Sequence, residues 1–275
     1  MNNLKKQFLA YMSTFSLFRE WDGLMQFELD IEEVEEFDFS KLEITKRLTL
    51  GNRVERFFEF YINQSKKYKL IKKNIQIIKD KHTLGELDFI IYDLVSKKYI
   101  HVEHVYKFYL YDDTIEHELD RFIGPNCNDT LVKKLTKLKN KQFPLLYKDE
   151  TKEYLSDLDI EIAQNNIEQK VCFKGNIYLP LDLENTNISI LNESCIRGFY
   201  INKEKFLSDE EFKKHEYFKP IKFDWICDAS INDTWFSYDE VYDSIKVLLD
   251  DEKSTLVWMR DTEKNITKSF FITYW

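Results

Sequence analysis

Apolar residues recur at three- and four-residue intervals through Leu48, Leu50, Val54, Phe57, Phe58, Tyr61 and Ile62, which predicts an amphipathic helix over 47–64. The period then changes to two. LIKKNIQIIKD, GELDFIIYD and YIHVEHVYKFYLY alternate apolar and polar positions and are rich in β-branched and aromatic types, which predicts strands near 70–79, 86–93 and 99–110. The short DLVSKK connection makes the second and third an antiparallel hairpin. Gly124-Pro125-Asn126 marks a turn, with Asn126 or Asn128 as N-cap of a lysine-rich helix over 128–142 that carries Leu131, Leu135 and Leu138 on one face. A helix over 150–167 and an apolar strand, KVCFKGNIYLPL, follow. At the ends of the chain the expected elements are a helix over 3–18, a strand at RGFYI, a helix at YDEVYDSIKVLLDD, and a closing hairpin around Asp261 to Asn265. The acidic stretch from Glu28 to Asp38 is expected as a solvated loop or short helix.

Composition narrows the class. The chain has 275 residues, and its 22 Phe, 16 Tyr and 5 Trp supply a sizeable core and exclude disorder as a description of the whole. Only 6 Gly and 4 Pro occur, and neither GxxxxGK[ST] nor GxGxxG is present, which removes two nucleotide-binding readings. Cys127, Cys172, Cys195 and Cys227 are far apart and form no CxxC pair, so they are expected as reduced, mostly buried thiols of a cytoplasmic protein. No uncharged apolar run reaches the ~20 residues of a spanning helix, so no membrane partner is expected.

The candidate chemistry lies on two strands. Asp88 interrupts the apolar run Leu87 to Ile91, and Glu103 stands between Val102 and Val105; Lys107 shares the Glu103 face because strand side chains alternate. A buried carboxylate is costly unless it is paired or binds a metal. Two carboxylates and a lysine on neighbouring strands are therefore either a salt-bridged core cluster or a metal site.

Gly51-x3-Glu55 on a helix, Gly85-Glu86-Leu87-Asp88 opening a strand, and His101-Val102-Glu103 followed by Lys107 resemble the PD-(D/E)XK phosphodiesterase superfamily of restriction-endonuclease-like folds. Within it the chain is similar to a bacterial domain-of-unknown-function family in TLGELDF (Thr83 to Phe89), E-x3-KFYL (Glu103 to Leu110), GPN-x2-D (Gly124 to Asp129), a leucine-rich helix ending in Gln142, FKGxIYxP (Phe173 to Pro180) and Arg197-Gly198. The resemblance implies an α/β protein with a mixed sheet, built on a core of helix, three strands, helix and strand. The boundaries that follow are an N-terminal segment 1–46, a nuclease-like core 47–200 and a C-terminal α/β extension 201–275. It also implies that Asp88 and Glu103, with Glu55, bind Mg²⁺ or Mn²⁺. Lys107 would assist the attacking water, and Gln142 would position the site or the substrate backbone.

One departure stands out. The superfamily pattern is E-x-K, whereas here Val105 follows Glu103 by two and Lys107 by four, which moves the amine ~6–7 Å along the strand. A plain Asp88–Lys107 salt bridge therefore remains open beside the metal site. Glu59 rivals Glu55 one turn on, Glu86 is expected to face away from the ligands, and His101 is expected as a hydrogen-bonded histidine on the Glu103 face.

Charge placement bears on the partner. The formal charge is −9, but residues 65–148 hold 17 basic and 11 acidic side chains, against 8 and 12 in residues 1–64 and 15 and 26 in residues 149–275. The positive segment contains the candidate site, and Lys133, Lys134, Lys137, Lys139 and Lys141 crowd its helix. A phosphodiesterase acting on DNA or RNA is the first reading; a catalytically inactive descendant that binds nucleic acid or protein is the second.

Overall fold

In the computed structural model, which describes residues 3–44, 48–156, 167–183, 188 and 190–275, the first long helix runs over Leu50–Gln64. It starts where Thr49 turns extended and its hydroxyl accepts from the Asn52 amide at 3.3 Å, and it ends where Ser65 returns to extended backbone. Three strands follow, β1 (Tyr68–Lys79), β2 (His82–Asp93) and β3 (Lys98–Tyr111). Asp80 and Lys81 take φ of 49° and 66° and close β1 onto β2 through a two-residue turn, which is why β2 begins earlier than its apolar pattern suggests. The β2–β3 hairpin is antiparallel as expected, and Asp93 Oδ1 holds its turn by accepting from the Val95 and Ser96 amides at 2.8 and 3.1 Å.

The chain divides into two compact units, each with its own core. One comprises residues 16–106 and 133–174. Here β1 pairs with β2, β2 with β3, and β3 is neighbour to the strand β4 (Ile167–Pro180). Ile75, Ile77, Leu87, Ile90, Leu145, Leu146 and Leu155 pack together as one apolar cluster. Helix Leu50–Gln64 lays Phe58 against Phe27, Phe89 and His104, with ring centroids 5.6, 4.7 and 5.3 Å apart.

The lysine-rich helix is α-helical over Leu131–Lys137 and then widens to a π turn over Leu138–Gln142, where the Phe143 amide bonds to Leu138 O. Pro144 explains the widening: it has no N–H for the carbonyl four residues back, and its ring would collide with that carbonyl. Asn126 does not cap this helix; its Oδ1 accepts from the Ser254 amide at 2.9 Å. Of the helix expected over 150–167, Asp149–Ser156 is helical and 157–166 lie outside the described residues.

The other unit comprises residues 1–15, 107–132 and 175–275. In it β4 pairs parallel with β5 (Ile196–Asn202), and β6 (Glu216–Phe218) pairs antiparallel with β7 (Thr255–Asp261). The strand β8 (Ile266–Thr273) runs parallel to β5 and antiparallel to β7, so the sheet is mixed. Phe199, Phe206, Tyr217, Ile245 and Phe270 centre its core. The N-terminal helix stops at Ser13, five residues short of expectation, where the Ser13 and Thr14 hydroxyls bond back to Ala10 O at 3.1 and 2.8 Å. Cys172, Cys195 and Cys227 are buried free thiols and Cys127 is exposed. Among the described residues no helix is long and apolar enough to cross a membrane.

Candidate functional site

The β2–β3 ladder pairs Ile90 with His101 and Phe89 with Val102, and goes no further in that direction. One step on, Asp88 Oδ2 accepts from the His104 amide at 2.8 Å, so a side chain takes the place of the next ladder bond. Cross-strand partners share a face. Asp88, Ile90, His101 and Glu103 therefore fall on one side, and Phe89 and Val102 on the other, where His104 meets Phe58.

Glu103 is fully buried and both its oxygens are held. His101 Nε2 lies 3.1 Å from Oε1, and Gln142 Nε2 donates to Oε2. Gln169 Nε2 donates to His101 Nδ1 at 3.0 Å and to the Phe143 carbonyl at 2.8 Å. Because Nδ1 accepts, the ring proton sits on Nε2 and points at Glu103. Burial holds the His101 imidazole down at about 4, so it is neutral at physiological pH. His101 is thus the hydrogen-bonded histidine expected from the sequence, with Glu103 as its partner. On the other side Lys134 Nζ donates to Gln142 Oε1 at 3.0 Å, which carries a positive charge to within one side chain of Glu103.

Burial first, and then the neighbouring charge of Glu103, pushes the Asp88 carboxyl up from 3.8 to about 7. Glu103 rises from 4.5 to about 7, again chiefly through burial, with Lys134 and Lys137 acting in the opposite direction. The two carboxyls are close enough to act on each other. They form a dyad that keeps a proton near neutral pH, and the proton belongs to the pair. Glu55 on helix Leu50–Gln64 is raised to about 7 by burial and then by Asp88 and Glu86, while its carboxylate takes a hydrogen bond from Asn74. Its rival Glu59 is engaged by Lys73 and Arg56 at 2.5 and 2.7 Å and is held below its ordinary value. Glu86 lies within electrostatic reach of Glu55, and its Oε1 accepts from Asn74 Nδ2 at 3.4 Å.

Lys107 belongs to the other unit, where its Nζ is 2.6 Å from Asp129 Oδ2, the aspartate of the GPN-x2-D segment. Gln142 does reach Glu103. The π turn adds a residue to that helical turn, which rotates the amide and leaves the Phe143 carbonyl available to Gln169.

Three participants were not assigned from the sequence. Gln169 sits in an ordinary-looking strand start, and Lys134 is one of five lysines on a helix. Asn74 takes a left-handed φ of 49° inside β1, a position that breaks the strand's alternation where Glu55 needs a donor.

Among the described residues, no three His, Cys, Asp or Glu side chains already close on one point at metal-ligand spacing. Asp88 and Glu103 do meet as a pair. A hard divalent ion such as Mg²⁺ keeps several waters and is commonly held by one or two carboxylates, so this donor set fits it.

In comparison with known proteins, a family model described as a domain of unknown function, DUF1853, matches residues 7–269. No curated protein and no solved structure matches the chain.

Proposed function

The chain belongs to the DUF1853 family, and we propose that it is a metal-dependent phosphodiesterase acting on DNA or RNA, with a restriction-endonuclease-like core. The observation that carries this reading is the buried Asp88–Glu103 dyad, with Glu55 within electrostatic reach, all three carboxyls displaced to about 7. Perturbed titratable groups gathered within electrostatic reach of one another are what a reactive or ligand-binding site requires and what a folded core otherwise avoids.

Asp88 and Glu103 would hold Mg²⁺ or Mn²⁺, and Glu55 a second ion or an ion-bound water. When bound, the ion would stabilise negative charge developing on the scissile phosphate. The protein's own groups do the rest. His101 and Gln142 fix the two oxygens of Glu103, and Gln169 fixes the His101 tautomer. Lys134, tied to Glu103 through Gln142, would offset charge or orient water, the part expected of Lys107, which pairs with Asp129. The lysine-rich helix offers phosphate contacts without sequence readout.

Purified protein with Mg²⁺ or Mn²⁺ is expected to cut a nucleic acid, and Asp88→Ala or Glu103→Ala to abolish cutting. Wild type and both variants behaving alike on single- and double-stranded DNA and RNA would overturn the proposal. Loss of rate in Lys134→Ala with little change in Lys107→Ala would assign the assisting amine to the helix. A second reading, an inactive nuclease-fold module that binds nucleic acid or protein, is favoured by one observation: Lys107 is already engaged by Asp129.

A further inference from the structure

A cleft of about 200 Å³ opens between helix Leu50–Gln64 and strands β1 and β2, inside the unit that carries the dyad. One wall is the helix. Asn52, Glu55, Arg56 and Glu59 recur at three- and four-residue intervals and so share a face of it. The strand wall comes from Lys73, Asn74 and Phe89, where the ladder is interrupted: Lys73 pairs with Phe89 and Ile75 with Leu87, but Asn74, at its φ of 49°, has no partner in register.

The bonds among these groups show that they converge. Glu59 takes Lys73 Nζ on Oε1 at 2.5 Å and Arg56 Nη1 on Oε2 at 2.7 Å. Asn74 reaches both Glu86, at 3.4 Å, and Glu55. Two carboxyls therefore stand against two cations, and the cleft is not built as a trap for a free anion. What remains suits a neutral, flat group with a hydrogen-bonding edge. The Asn52 carboxamide makes no hydrogen bond among the described residues and offers a donor and an acceptor side by side, the pattern that reads the edge of a nucleobase. Leu48 and Phe89 supply apolar walls. A cleft of this size takes one base and leaves no room for the base paired with it. Glu55 lines the cleft and lies within reach of the Asp88 charge, so a base seated there belongs to a nucleotide whose phosphate is near the dyad.

We propose that this cleft seats one unpaired base of a nucleic-acid strand, with Asn52 on its edge and Leu48 and Phe89 beside it, so that the substrate of the Asp88–Glu103 site is unpaired at the point of cutting. The proposal rests on nucleic acid being the ligand of that site.

The test is fluorescence anisotropy of the full chain, in EDTA at low salt, with three labelled probes of about 12 nucleotides: a single strand of thymidines, its duplex with the complementary strand, and an abasic strand of the same length and charge. The thymidine strand is expected to bind about tenfold or more tighter than either of the others, the worth of a seated base. Asn52→Ala removes the carboxamide and Asn52→Trp fills the cleft. Each is expected to weaken the thymidine strand about fivefold or more and the abasic strand less than about twofold. The Asn52 side chain is exposed and holds nothing in the fold, so both variants should melt with the wild type. Equal binding of strand and duplex, equal binding of thymidine and abasic strands, wild-type binding in either Asn52 variant, or no binding of any probe would overturn the proposal. Cutting with Mg²⁺ is read separately: absence of the base preference with cutting present overturns the cleft and leaves the phosphodiesterase, and a base preference without cutting does the reverse.

Discussion

Replacing Asp88 by Asn should stabilise the protein by an amount that is near zero at pH ~4, grows through mild acid and is largest above pH ~7. The Asn Oδ1 can still accept from the His104 amide, and the side chain carries no charge to bury beside Glu103. Asp88 rises from 3.8 to about 7, and at 1.36 kcal/mol per unit that displacement corresponds to about 4 kcal/mol at most. Because the folded chain binds this proton more tightly than the unfolded chain, the stability it contributes is fully present below ~4. It is lost as pH rises through about 7. Part of the displacement comes from Glu103, whose own carboxyl becomes easier to ionise once Asp88 is an amide, so about 2–4 kcal/mol is the expected gain at pH 8. For a chain of this size that is roughly 5–15 °C in melting temperature. The assay is thermal or urea unfolding of both proteins from pH ~4 to ~9 in EDTA. A gap near zero at pH ~4 that widens between ~4 and ~7 and levels off above is predicted. A gap of the same size at every pH, or a less stable variant at pH 8, would refute the reasoning.

Phe58→Ala should cost about 3–5 kcal/mol in denaturant unfolding, because a fully buried ring in contact with Phe27, Phe89 and His104 is removed. Gly198→Ala should cost about 3 kcal/mol or more, since its Cβ meets the backbone Ser269 O at 1.9 Å. Gly85→Ala, whose Cβ meets only the movable Leu145 Cδ2 at 2.7 Å, should cost about 1 kcal/mol; equal melting temperatures for the two would contradict this. Ser237→Ala removes one half of the capping box on helix Tyr238–Asp250 and should cost about 1 kcal/mol. Gln169→Leu should leave the fold intact and weaken Mn²⁺ binding roughly tenfold or more, through the loss of the donor that fixes His101.

The amphipathic helix and β1 were legible because each buries one face, which writes a period of three to four or of two into the chain, and β3 and β4 because both faces are buried and the run is apolar and β-branched or aromatic. Asp88 and Glu103 were legible for the same reason, as charges at positions the pattern assigns to apolar residues. The early start of β2 was not: Asp80-Lys81 is an uncommon pair for a turn in which both residues need positive φ. Nor was the π turn, since Pro144 signals a break in the helix without saying whether the helix ends or widens. Gln169 and Lys134 reach the dyad through contacts more than eight residues apart or through a chain of side chains, and no local pattern encodes those. The pairing of Lys107 with Asp129 is similar: period two places the lysine on a face, but only the return of the chain past Gly124 brings an aspartate to it.

The central claim is that Asp88 and Glu103 form one site for a divalent cation. Calorimetric titration of Mn²⁺ into the wild type, Asp88→Asn and Glu103→Gln at pH 8 tests it most directly. Saturable binding in the wild type that either substitution abolishes is predicted; absence of binding in the wild type, or binding that survives both substitutions, would contradict the account.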